Sequence, residues 1–196
     1  MTPSELIYRA RLECFLAAPY GFEAWAEQYN DLADTWPLLL EWDISRAHWV
    51  VWAACVVSQI KGEDPARKMA AVLLGGTVCP DGSRMRDSRH PFVREALDIV
   101  QGGAGQATRN DMHRRLRESL GRLDPSTDKH MVSCRTHLAL MDMLGADTWA
   151  AAELSVKVAV GLTGDKKALR MPAFEKALTS QVDALKTIDN PFREKE

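Results

Sequence analysis

Strand-like alternation and hairpin dipeptides are missing from this chain of 196 residues, which leaves no sequence basis for a β-sheet. Catalytic signatures are missing too. There is no H-E-x-x-H, C-x-x-C, G-x-S-x-G or phosphate loop, and no E-x-x-H pair of the kind that builds di-iron bundles. The four cysteines, Cys14, Cys55, Cys79 and Cys134, are too scattered for a disulfide framework and read as free thiols in a reducing, cytoplasmic setting. The longest uncharged apolar run, AHWVVWAACVVSQI over 47–60, falls short of the roughly 20 residues of a membrane span and contains His48 and Gln59. The opening MTPSELIYRARLE has no basic start and apolar core of a signal peptide; it starts a helix instead.

What is present is helix grammar. An apolar fraction of 46% with 27% charged residues suits a compact chain able to bury a core without staples. Thr2-Pro3-Ser4-Glu5 is a capping box with proline at the first helical position, followed by Ile7, Ala10, Cys14, Ala17 and Ala18 until Pro19-Tyr20-Gly21. Phe22, Trp25, Ala26, Tyr29 and Ala33 mark a second helix, which Trp36-Pro37 is expected to break. The run around Trp49–Val57 fits a buried helix by length and alanine content.

Two stretches echo each other: Asp64-Pro65 to Gly75-Gly76, and Pro91 to Gly102-Gly103. Both read as a proline start and a left-handed glycine stop rather than as a repeat, since no third copy follows. Further helices are expected from Thr108, with Asp111, to Asp124-Pro125, and over about 129–144, 148–161 and 172–187; the tail DNPFREKE should fray. The sum is an all-α bundle of about nine helices. It forms a single helical domain over 1–196, or two lobes, 1–76 and 91–190, joined by a basic loop over 77–90.

Charge is lopsided although the net is only −2. Residues 1–45 hold eight acids against Arg9 and Arg11, whereas residues 84–122 hold nine arginines against five acids. Either the two segments neutralise each other or each marks a surface for an oppositely charged partner.

Candidate sites follow from these patterns. Trp36, Glu41, Trp42 and Asp43, in the acidic, leucine-rich WPLLLEWD, would supply aromatic anchors in a negative rim for another protein, with core packing as the plainer use of the tryptophans. Arg84, Arg86, Arg89, Arg109, Arg114, Arg115 and Arg117, the last four on the second helix of a helix–glycine turn–helix unit, would suit nucleic acid or an acidic partner. The glycines of QGGAGQATRND precede a helix N-terminus that could favour an anion, although glycine stops are the commoner reason for such a run. His130, Cys134 and His137 share one helical face, the weak outline of a metal site that lacks a full ligand set. No cofactor is expected. The reading is a non-enzymatic accessory protein that acts by contact with another protein, a class that includes immunity proteins, inhibitors and subunits of assemblies, with nucleic-acid association through 84–122 as the alternative and no membrane contact.

Overall fold

The computed structural model describes residues 1–41, 46–79, 82–161 and 167–193, and among them it is built from ten α-helices with no sheet. Helix α1 (Pro3–Glu13) starts as the capping box requires, with the Thr2 hydroxyl accepting the Glu5 backbone N–H at 3.1 Å. It stops five residues earlier than the alanine stripe implied. Phe15 adopts φ 55° and the Leu16 N–H folds back onto the Ala10 carbonyl at 3.0 Å, which lets Leu16 and Ala18 pack on the core instead.

The second expected helix is two. Helix α2 (Phe22–Ala26) ends well before Ala33, and α3 (Leu32–Leu40) begins at Asp31, whose carboxylate accepts the Ala33 N–H at 2.8 Å. Pro37 therefore lies inside α3 and does not end a helix. A proline there leaves the carbonyl four residues back without its helical donor. That carbonyl belongs to Ala33, and the Asn190 side-chain amide, 157 residues away, donates to it at 2.7 Å. As far as Arg193 the expected fraying of the tail is corrected by the same contact, and 194–196 lie outside the described residues. Phe192 is buried with its ring 5.4 Å from that of Trp36, and Lys61 donates to the Pro191 and Arg193 carbonyls at 2.5 and 3.1 Å.

Helix α4 (Ala47–Ile60) is the buried central helix, with Val50 to Ser58 all out of solvent. Helix α5 (Glu63–Gly76) starts one residue before the expected Asp64 cap, with Gly62 at φ 114° as its N-cap. Glu63 and Asp64 instead hold Arg67, a buried guanidinium whose Nε donates to the Leu144 carbonyl at 2.9 Å. The glycines at its other end are a second correction. Gly75 and Gly76 are helical, and a Cβ on Gly76 would sit 2.4 Å from Ala184 Cβ, so this pair serves a close helix crossing. Gly103, at φ 66°, is the left-handed stop that both pairs were expected to be.

The segment 77–90 is not a loose loop where it is described. An antiparallel bridge joins Val78 to Arg84, Met85 donates its N–H to the Thr77 carbonyl at 2.8 Å, the Val78 N–H donates to the Ser180 hydroxyl at 2.9 Å, and the Met85 side chain is buried. A 3-10 turn (Met85–Asp87) then leads to α6 (Val93–Gln101), α7 (Gln106–Leu120), α8 (Asp128–Leu144), α9 (Thr148–Gly161) and α10 (Lys167–Leu185). Helix α7 begins before Thr108, on Gly105, and α10 begins before Pro172, which it contains.

Apart from a small cluster of Val156, Ala159 and Ala177 that joins α9 to α10, two large apolar clusters make the core. One gathers α1 to α4 with Leu178, Val182, Leu185 and Phe192 from the C-terminal end; the other gathers α6 to α9 with Met85. Helix α5 serves both, with Met69 and Leu73 on the first and Ala70, Ala71 and Leu74 on the second. Where α5, α9 and α10 meet, Gln181 donates to Ser155 Oγ at 2.9 Å, Thr77 Oγ1 at 3.2 Å and the Ala152 carbonyl at 3.0 Å, so the buried polar groups there are satisfied.

Candidate functional site

The first candidate site is rearranged by the fold. Trp36 is only 2% exposed and packs against Phe192 at a tilt of 57°, because the C-terminal tail returns to cover it. It is a core residue, not an exposed anchor. Glu41 is exposed at the C-cap of α3, and Trp42 and Asp43 lie outside the described residues. Trp25 and Trp52 are buried and Trp49 half-buried around Phe22, with ring centroids 5.0 to 5.9 Å from it.

The exposed aromatics of the acidic segment are others. On α1, Leu6, Ile7 and Ala10 face the core, while Tyr8 and Leu12, four residues apart on the opposite face, are 66% and 57% exposed. The chain beyond them adds Phe15 at 89% and Tyr20 at 100%. Phe15 holds a left-handed backbone that costs a residue with a Cβ about 1–2 kcal/mol, and its ring reaches solvent rather than the core. The surrounding arginines are spent on neighbours: Arg9 pairs with Glu13 at 2.6 Å, and Arg11 with Glu23. Glu5, Glu27 and Asp34 stay exposed and close no ion pair among the described residues, so this N-terminal segment keeps exposed negative charge. The sequence carried a signal for this face: Tyr8 and Leu12 stand off the Ile7–Ala10 stripe at a spacing of four.

The arginine segment is largely turned inward in its bonding. Arg114 bridges Asp111 and Glu118 at 2.6 and 2.7 Å. Arg115 forks onto Glu95 of α6, with the second contact at 2.9 Å, and its guanidinium lies 5.6 Å from the Phe92 ring centre. Arg109 donates to the Ala104 carbonyl and to Gln106, and Arg86 donates to the Gly75 carbonyl at 3.3 Å. Arg84, Arg89 and Arg117 are exposed and close no ion pair among the described residues. Among the described residues the second helix of the helix–turn–helix unit thus offers one uncommitted guanidinium of the four expected, that of Arg117.

The histidine face does not converge on a metal. Among the described residues no group of three ligands lies close enough to hold one. His130 sits in the first turn of α8 and accepts the Asp124 N–H at 3.2 Å. His137 is buried and committed at both ring nitrogens: Nδ1 donates to the Ser133 carbonyl at 2.7 Å, and Nε2 shares a hydrogen bond with the Ser119 hydroxyl at 3.0 Å. Its closest aromatic partner is His90, with ring centroids 4.9 Å apart at 82°. Burial, with His137 alongside, pushes His90 down to about 4, so His90 is an imidazole packed with Phe92 and His137 rather than half of a ligand set.

On α7 the guanidiniums of Arg109, Arg114 and Arg115 are therefore engaged within the chain, and the uncovered apolar groups are concentrated on α1 and the turn after it. No protein-family model, curated protein or solved structure matches this chain.

Proposed function

We propose that this protein works by docking onto another protein through the outward face of α1 and the turn that follows, without chemistry of its own. The observation that carries the reading is Phe15, a large aromatic held in solvent on a backbone that favours glycine, beside exposed Tyr8, Leu12 and Tyr20. A side chain that adds strain and buries nothing in its own fold is explained by a use outside it. Tyrosine and phenylalanine are the groups that supply binding energy once a partner covers them. The exposed acids of the same segment favour a partner whose docking surface is apolar at its centre and basic at its edge, a complementarity that speeds association and rejects acidic surfaces.

The test compares capture by three forms of the protein from lysate of its own cells: wild type, the Tyr8→Ser/Phe15→Ser/Tyr20→Ser variant, and an Arg114→Ala/Arg117→Ala control. The expected result is a partner retained by wild type and control and lost by the triple variant, with retention weakening as salt rises. Equal capture by all three forms would overturn the assignment of the surface.

A further inference from the structure

A second feature is independent of the α1 face. A cleft of about 460 Å³ opens between the 3-10 turn and α6, lined by Arg86, Asp87, Ser88, Arg94, Leu97, Asp98 and Gln101. Its wall is pinned from several sides. The bridge at Val78 and Arg84, the buried Met85 and the Arg86 bond to the Gly75 carbonyl fix the turn, and Arg86 Cβ lies 3.6 Å from where a Cβ on Gly75 would be. The other wall is α6, anchored by buried Val93, Ala96, Leu97 and Val100.

This cleft gathers charges of both signs that the chain itself does not pair. Arginine–acid pairs one helical turn apart close at 2.6 Å for Arg9–Glu13 and 2.7 Å for Arg114–Glu118. Arginine–aspartate pairing occurs too, at 2.6 Å for Arg114–Asp111. Arg94 and Asp98 have the same spacing and order on α6, yet among the described residues neither they nor Arg86 and Asp87 close an ion pair. Two guanidiniums and two carboxylates are thus left open around one polar cleft, with a hydroxyl, an amide and a single aliphatic side chain.

We infer that this cleft binds a phosphorylated sugar, either free or as the ribose phosphate of a nucleotide. Guanidiniums recognise phosphate through charge-assisted, forked hydrogen bonds, and Arg86, already oriented through its Nε, keeps its terminal nitrogens for that use. Aspartates accept from neighbouring sugar hydroxyls, which explains why carboxylates share a cleft with the arginines. A phosphate site alone would have no use for Asp87 and Asp98, and Leu97 gives the C–H face of a sugar ring an apolar support. The cleft volume exceeds what inorganic phosphate fills and suits a ligand of nucleotide size.

The experiment is calorimetric titration of the full chain with ribose 5-phosphate and with adenosine 5′-monophosphate, using inorganic phosphate and ribose as the two half-ligands. Saturable binding of one or both phosphate esters, at least about tenfold tighter than inorganic phosphate, is expected, and the tighter ester identifies the source of the sugar phosphate. Arg94→Gln should abolish the binding of both. Asp98→Asn should weaken the esters about tenfold while leaving inorganic phosphate unchanged. Both residues are exposed, so neither variant should unfold the chain. Absence of saturable binding by both esters, affinity no better than inorganic phosphate, insensitivity to both variants, or binding confined to an RNA oligonucleotide would each overturn the inference.

Discussion

Removing the Asn190 amide should destabilise the protein in a way that depends on a proline more than 150 residues away. Pro37 has no N–H, so the Ala33 carbonyl, partly buried inside α3, relies on the Asn190 amide at 2.7 Å. Asn190→Ala leaves that carbonyl unsatisfied and also deletes the bond from the Phe192 N–H to Asn190 Oδ1 at 3.0 Å. An unsatisfied buried acceptor costs about 1–3 kcal/mol. With partial burial, about 1–2 kcal/mol of that should be felt here. In a Pro37→Ala background the restored N–H at position 37 can satisfy Ala33 within the helix, so the same substitution should cost about 1 kcal/mol less. Urea unfolding followed by far-ultraviolet circular dichroism measures all four corners of the cycle. At a slope of about 1–3 kcal/mol/M, the single Asn190 variant should move the midpoint by roughly 0.5–1 M at unchanged slope. Effects of the two substitutions that add within about 0.3 kcal/mol would refute the reasoning, because the carbonyl would then not be what links them.

Phe15→Gly should raise stability by about 0.5–1 kcal/mol, read as an increased melting temperature, because glycine adopts φ 55° without strain, and should simultaneously weaken partner capture. Gly76→Ala should destabilise by about 1–3 kcal/mol in chemical denaturation, since its Cβ would stand 2.4 Å from Ala184 Cβ and both helices are anchored in the core. Asp142 gives the pH dependence. Half-burial, with Asp147 nearby, pushes its carboxyl from an ordinary 3.8 up to about 6, so its ionisation opposes folding as pH rises through that interval. Asp142→Asn should therefore stabilise at pH 7 by about 1 kcal/mol, a shift of this size being discounted for solvent screening, and the gain should vanish below pH 4. His90 works in the opposite sense: held at about 4 against 6.5, it contributes stability above pH 6.5 that is lost as pH falls toward 4. The Asp142→Asn variant should accordingly lose stability more steeply than wild type between pH 6.5 and 4 in denaturant titrations at fixed pH.

Local chemistry was legible where it was decided locally. The Thr2 cap, the burial of 47–60, the stop at Gly103 and the helices over 128–144 and 148–161 follow from spacing and end residues within a few positions. The misreadings share a cause, which is a partner distant in sequence. Pro37 reads as a breaker until Asn190 is seen on Ala33, and Gly76 reads as a stop until Ala184 is seen against it. Trp36 reads as a surface anchor until Phe192 returns to cover it. Arg115 of α7 looked free because its acid, Glu95, sits on a neighbouring element. The cleft at Arg86 and Arg94 was illegible for a related reason: two residues eight apart become its walls only once the turn at Met85 is pinned to Thr77.

The central claim, that the α1 face is the working surface, is tested most directly by placing a photo-crosslinking phenylalanine analogue at position 15, and separately at position 117, and irradiating the cells in which the protein is made. Neither substitution disturbs a buried side chain. The predicted result is a discrete crosslinked product from position 15 whose second component is one protein with a basic surface, with none from position 117. Crosslinking from position 117 but not from position 15 would contradict the account and move the working surface to the arginine helix.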